Sequence, residues 1–348
     1  MEACPASSFL YSFSVFTARI WWFAIAALAC IVGTGRAQSY KYFRLGNPGD
    51  VETKASFGIA MMGGGSDLDE AFRWLCKKGN GGDFLILRAT GDDDYNSYVN
   101  GLCRANSVAT LILPGRAAAE DPAVAEIIRK AEVVFISGGD QANYIRGWKG
   151  TPVEKAINDD IAAGKPIGGT SAGLAVEGEF VYGALGDKQD DQNLASVEVL
   201  MNPYFERVTM VRDFLKIPHL DNLITDSHFA KRDRLGRSLG FLARIMKDGW
   251  SSSPREVAID EKSAVLVEPD GKAKVVGTGK GAYFIAPTRA PDVCEKGAPL
   301  TFLGINVYRV PSGGHFDLNA WKGDGGTAYS LSVRAGKIES TQRGAAIY

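Results

Sequence analysis

A chain of 348 residues with 39 basic and 40 acidic side chains carries a net charge of -1, which excludes an overall electrostatic attraction to nucleic acid or to an anionic membrane. Its 45% hydrophobic content is that of a soluble globular protein with ample material for a buried core, in one large domain or two ordinary ones.

Residues 1–37 stand apart. Arg19 precedes an unbroken apolar run from Ile20 to Val32, and Gly35-Arg36-Ala37 sets small residues one and three positions before a cut ahead of Gln38. This pattern predicts a signal peptide, hence a secreted or periplasmic protein with no stable membrane association after cleavage. An uncleaved anchor, or a lipid on Cys30, is the lesser alternative, because the run is short for a membrane span. Cleavage removes Cys4 and Cys30 and leaves Cys76, Cys103 and Cys294. That leaves room for one bridge, whose pair the sequence does not name, and lacks the paired C-x-x-C spacing of a zinc site. No metal and no cofactor are expected.

Gln38 to Phe57 is polar and mixed and predicts an exposed lead-in. Ser56 to Met62 predicts a strand running into Gly63-Gly64-Gly65, followed by a helix with Leu68, Ala71, Phe72 and Leu75 at helical spacing. That glycine turn lacks the Gly-Lys-Ser/Thr ending of a phosphate loop and the full dinucleotide fingerprint. Asp83 to Ala89 is a strand whose apolar continuity suits a parallel sheet covered on both faces, and Val108 to Leu113 is the next. Asp92-Asp93-Asp94 does not alternate as calcium ligands must and predicts a solvated loop or a helix cap. Asp121 to Ala131 is a helix with Pro122 in its first turn, and Val133-Val134-Phe135-Ile136 is a strand ending in Ser137-Gly138-Gly139-Asp140-Gln141. Pro152 to Ala163 is a helix closed by Gly164. Strands alternating with helices predict a doubly wound, mostly parallel α/β sheet.

Lys165 to Gly173 then turns tightly from strand into helix, with Gly169 and Gly173 flanking Ser171 in a G-x-S-x-G pattern. Small residues on both sides of such a turn let it push a hydroxyl outward, so Ser171 is the candidate nucleophile, against the bland reading of an incidental serine in a glycine turn. Beyond it lie a polar loop, Gly186 to Asn193, and a short strand, Leu223-Ile224-Thr225, that delivers the polar cluster from Asp226 to Arg237. Ser238 to Met246 predicts a helix. Short β segments fill Val257 to Ala286, with a hairpin turn at Asp270-Gly271, and Thr301 to Tyr348 is β-like. The implied division is 1–37 signal peptide, 38–290 main α/β domain and 291–348 β-rich extension.

A serine hydroxyl needs a base, and of the three histidines His228 is the best candidate, since it follows a buried strand within a charged cluster. His219 looks structural, and His315 lies in the β-like tail. The base needs an orienting acid on its other nitrogen. Asp187, Asp190, Asp191, Glu177 and Glu179 are all in range; Asp190 is favoured. The backbone N–H groups of Ala172 and of Gly139, in the Gly138-Gly139 turn, are the candidate oxyanion donors. Arg232, Arg234 and Arg237 have planar forks suited to carboxylates, which leans towards an acidic substrate, and Gln141 could add an amide contact.

Phe135-Ile136-Ser137-Gly138-Gly139-Asp140-Gln141, Gly168-Gly169-Thr170-Ser171-Ala172-Gly173 and Asp226-Ser227-His228-Phe229 with Arg232, Arg234 and Arg237 together resemble the cyanophycinases, serine peptidases grouped with aspartyl dipeptidase. The resemblance covers about Ser56 to Pro287. It implies a class I glutamine amidotransferase-like fold, hydrolysis of cyanophycin to β-aspartyl-arginine dipeptides, and a homodimer. It also implies a substrate pocket lined by Gln141, Asp226, Arg232, Arg234 and Arg237. One position departs from the family pattern: Ser227 stands where glutamine is usual. Two other readings use the same residues. An α/β-hydrolase esterase would take His315 as base, and a non-catalytic module would use the arginines to hold an acidic ligand.

Overall fold

The apolar runs bounded by glycine turns become the central strands of two sheets in the computed structural model, which describes residues 39–187 and 193–348. In chain order the first half comprises β1 (Lys41–Gly46), β2 (Ile59–Met62), α1 (Asp69–Lys78), β3 (Asp83–Arg88), α2 (Asp94–Leu102), β4 (Ser107–Ile112), α3 (Arg116–Ala119), α4 (Pro122–Arg129), β5 (Val133–Ile136), α5 (Gln141–Trp148), α6 (Pro152–Ala162), β6 (Ile167–Thr170) and α7 (Ala172–Ala175). The second half comprises β7 (Phe180–Tyr182), α8 (Ser196–Met201), β8 (Met210–Arg212), β9 (Leu223–Asp226), α9 (Leu235–Lys247), β10 (Arg255–Ile259), β11 (Ser263–Val267), β12 (Lys272–Gly277), β13 (Ala282–Pro287), β14 (Phe302–Val310), β15 (His315–Asp317), β16 (Lys322–Asp324), β17 (Thr327–Arg334) and β18 (Lys337–Ser340).

One sheet runs β1-β4-β3-β5-β6-β2-β11-β12-β15-β16. Its centre, β4-β3-β5-β6-β2, is parallel, as expected for strands that are apolar on both faces. β2, β5 and β6 are buried throughout, and β3 along nearly its whole length. The α/β class with a doubly wound parallel core therefore matches the expectation. The polar lead-in does not: Lys41–Gly46 pairs antiparallel with β4 as an edge strand, and its alternation of exposed and half-buried side chains hid it in a polar stretch.

The second sheet runs β18-β17-β14-β13-β10-β9-β7-β8. The boundary drawn at 290/291 falls between β13 and β14, which pair along their lengths, and residues 38–348 form one compact unit. Ile305, Val307, Leu331 and Val333 of the extension sit in the same buried cluster as Phe229 and Leu239, so the extension completes a core. Cys76 and Cys103 form a disulfide with Cα atoms 5.9 Å apart, tying α1 to the residue after α2. Closing a loop of this length contributes roughly 3–4 kcal/mol on the chain-entropy estimate. Cys294 is buried and free, and burial pushes its thiol up to about 11.

Candidate active site

Three chain crossings converge at the carboxyl end of β6. Ser171 lies between β6 and α7 with φ 54° and ψ -111°, a conformation that L residues rarely adopt and that costs of order 1–3 kcal/mol. Packing holds it there. A Cβ on Gly173 would fall 2.0 Å from the Ile136 carbonyl oxygen, and one on Gly169 would fall 2.6 Å from the Gly173 carbonyl carbon, so both glycines are required by close approach. Thr170 Oγ1 donates to Asp67 at 2.6 Å, and Ser171 N–H donates to the Met62 carbonyl at 3.1 Å, fixing the turn from behind.

His228 follows β9 in the second sheet and reaches across. Its backbone N–H donates to the Gly63 carbonyl at 2.8 Å, and its Nε2 lies 2.7 Å from Ser171 Oγ. Gly64, at φ 88°, makes room for this approach, since a Cβ there would stand 2.6 Å from the imidazole and 3.1 Å from Ser171 Cβ. The other ring nitrogen, Nδ1, lies 2.7 Å from Glu261 Oε1. Glu261 sits in the turn where the chain passes from β10 in one sheet to β11 in the other.

Asp190, the favoured acid, lies outside the described residues, as do Asp191 and residues 1–37, where a signal peptide is expected. The other sequence candidates are engaged elsewhere or buried. Asp187 binds Arg207 Nε at 2.9 Å and accepts from the Tyr182 hydroxyl at 2.9 Å, Glu179 accepts from Asn222 N–H, and Glu177 is fully buried. The carboxylate that meets His228 is thus Glu261, which sequence reasoning missed. It follows the histidine by 33 residues, outside the segment between serine and histidine that holds the other acidic candidates.

Burial first, with help from the charges of Arg234 and Arg232, drives the His228 pKa down to about 4 against the opposing hydrogen bond from Glu261. The imidazole is therefore neutral and able to accept a proton at neutral pH. Burial alone would raise the Glu261 pKa, but the His228 hydrogen bond and the charges of Arg232 and Lys231 outweigh it and hold the carboxyl below its usual value.

The Gly138–Gly139 turn after β5 lies against the serine: a Cβ on Gly138 would be 3.4 Å from Ser171 Cβ, and Gly139 has φ 146°. Tyr144 Oη donates to the carbonyls of Ser137 at 2.9 Å and Gly138 at 3.1 Å, which holds the turn in place. Ala172 supplies the first N–H of α7. Gln141, half-buried, opens α5 and reaches the Tyr182 carbonyl at 3.4 Å.

The arginine cluster divides. Arg232 keeps an exposed side chain, with Nε 3.8 Å from Glu261. Arg237 is 2% exposed and forks onto Asp226, Nε to Oδ2 at 2.8 Å and Nη2 to Oδ1 at 2.5 Å, while Arg234 adds Nη1 to Oδ1 at 3.3 Å. Asp226, Arg234 and Arg237, expected to line a pocket, are instead buried and paired with one another and with Ser227, with Arg234 Nε left unpaired, because the run from 226 to 237 folds back over its own strand end. Burial would raise the Asp226 pKa, yet the two guanidinium groups bring it below the usual carboxylate value.

His315, the alternative base, lies on β15, four strands from β6 in the same sheet, or about 19 Å at ~4.8 Å per strand. His219 is tied to Asn319 at 2.8 Å and to the Pro269 carbonyl at 3.0 Å, a structural role. Among the described residues no group of three or more His, Cys, Asp or Glu is arranged to hold a metal ion.

An activated serine of this kind serves many hydrolases, and comparison with known proteins narrows the field. The sequence model of Peptidase family S51 matches residues 66–216, which include Gln141 and the Ser171 elbow. The chain is 27% identical over 264 residues to a cyanophycinase of Geminocystis herdmanii, covering 73% of this chain and 87% of that protein. It is 27% identical over 219 residues to a cyanophycinase of Trichormus variabilis, covering 62% and 66%. A crystal structure of a peptidase from an acI-B1 Actinobacterium aligns over 65% of this chain and 89% of its own, with TM-score 0.45 and 18% identity. The question left by the geometry, which kind of acyl-transfer enzyme this is, has its answer in these sequence matches: over residues 66–216 the chain is similar to peptidase family S51, and it is a cyanophycinase-like, serine-type peptidase.

Proposed function

We propose that the enzyme hydrolyses cyanophycin or a related aspartyl peptide, releasing β-aspartyl-arginine dipeptides, through a covalent acyl-enzyme on Ser171. The observation that carries this reading is the chain of contacts from Ser171 Oγ to His228 Nε2 and from His228 Nδ1 to Glu261, each 2.7 Å. His228 takes the hydroxyl proton as Oγ attacks the scissile carbonyl carbon, and Glu261 holds the ring and the positive charge it acquires. The N–H groups of Ala172 and Gly139 stabilise the oxyanion. Collapse breaks the peptide bond and His228 gives its proton to the leaving amine. A water, deprotonated by His228, then attacks the ester carbonyl, releasing the acid and restoring Ser171.

Cyanophycinase relatives in two organisms support the substrate class. Arg232 and Gln141 are the residues we assign to carboxylate and main-chain contacts, because Arg234 and Arg237 are buried against Asp226. The Cys76–Cys103 bridge favours export to an oxidising compartment, in keeping with the signal-like residues 1–37. A homodimer completes the proposal. Side-by-side assay of cyanophycin, isoaspartyl dipeptides and an α-linked acidic peptide tests it. Turnover of cyanophycin with release of β-aspartyl-arginine is expected, and turnover confined to the α-linked peptide would overturn the substrate assignment.

A further inference from the structure

The loop that carries His228 is strained at both ends. His228 has φ 47° and Asp233 φ 49°, within the eight residues, Ser227 to Arg234, that separate β9 from α9. Helix α9 has no side-chain N-cap of its own: Arg234 occupies the cap position without a capping hydrogen bond. Its orphan N–H groups are instead served by two hydroxyls from elsewhere in the chain. Ser196 Oγ accepts from Gly236 at 3.0 Å and Arg237 at 3.3 Å, and donates to the Asp233 carbonyl. Tyr348 Oη accepts from Leu235 N–H at 2.9 Å and donates to Asp233 Oδ1 at 2.9 Å.

Tyr348 comes from the far side of the second sheet, after β18. It is held there by backbone ties just before it: the Ile347 carbonyl accepts from Tyr329 Oη at 3.1 Å, and the Ala346 carbonyl accepts from Ser340 Oγ at 2.6 Å and Gln342 Nε2 at 3.0 Å. Its ring meets Phe229, the residue next to His228, edge-on at 5.6 Å. Tyr283 of β13 closes the cage, 4.9 Å from Phe229 and 6.0 Å from Tyr348. Phe229 is completely buried, so a shift of this ring cluster moves the backbone that carries the imidazole.

We infer that Tyr348 is a positioning residue for His228: the strap of residues 342–348 caps α9 and cages Phe229, and so holds the base at hydrogen-bond distance from Ser171. The β-rich extension is thereby part of the active site's support, although it contributes no reacting group. The inference rests on the reading of Ser171 and His228 as nucleophile and base.

The test is the rate at which a fluorophosphonate probe labels Ser171 in the full chain, with thermal unfolding and circular dichroism recorded on the same samples. Tyr348→Phe keeps the ring and loses both hydrogen bonds. It is expected to label about ten-fold more slowly, the effect of losing two hydrogen bonds of modest net strength together, with the folded fraction unchanged at the assay temperature. On peptide substrate the loss is expected in kcat, with KM within two-fold. Tyr348→Ala, which also opens the cage, is expected to label more slowly still. Labelling of Tyr348→Phe within two-fold of wild type, or a fall that matches a loss of folded protein, would overturn the inference. A wild-type chain that takes no label while remaining folded strikes at Ser171 as nucleophile, a failure distinct from one confined to the Tyr348 variants.

Discussion

A serine at φ 54° and ψ -111° persists only where its surroundings over-determine it, and here they do so with small residues at two flanking positions and a carboxylate behind the turn. The small residues were legible in the sequence as G-x-S-x-G, and His228 was legible as a histidine at a strand end. Glu261 was not, because its role comes from a crossing between two sheets that no local pattern announces. The electrostatics of the three residues make a prediction about pH. With the His228 pKa depressed to about 4 by burial, kcat/KM in wild type is expected to hold from neutral pH down to about 4 and fall below it. Glu261 raises that pKa, so Glu261→Gln is expected to move the acid limb lower as well as to reduce kcat by about a thousand-fold or more. A pH–rate profile of Glu261→Gln whose limb moves upward would contradict this arrangement. The same depressed pKa bears on stability: the unfolded chain takes up a proton on this histidine near 6.5 and the folded one only near 4, so stability falls as pH drops through that window.

At the scale of elements, the buried ion cluster links β9 to α9. Arg237 has no solvent to fall back on if its partner is removed, and the Asp226 carboxylate is equally enclosed. Asp226→Ala leaves a buried guanidinium uncompensated and is expected to destabilise the fold by about 3–5 kcal/mol in denaturant titration. A loss under about 1 kcal/mol would show the pair to be dispensable. The run of charges from Asp226 to Arg237 announced chemistry correctly but not its direction, since a sequence does not say which arginines fold back and which face solvent. The edge strand β1 was hidden for a related reason: a strand with one sparsely covered face reads as polar. The central strands were plain because both faces are buried and their apolar runs are unbroken.

Across the whole molecule, the residues of the proposed triad are split between two sheets: Ser171 at the end of β6 in one, His228 after β9 in the other, and Glu261 in the crossover that joins them. The relative position of the sheets therefore sets the Ser171–His228 distance, and the buried cluster that packs Ile59 and Ile167 of one sheet with Val257 and Phe284 of the other fixes that position. The α/β core could be read from alternating elements, whereas the joining of residues 291–348 to the same sheet as β9 could not, since β pairing between distant segments leaves no periodic mark. The proposed chemistry depends most directly on the hydroxyl of Ser171. Peptide hydrolysis by Ser171→Ala, measured beside wild type on whichever aspartyl substrate is turned over, is expected to fall by at least about a thousand-fold with the circular dichroism spectrum unchanged. Wild-type turnover by that folded variant would contradict it.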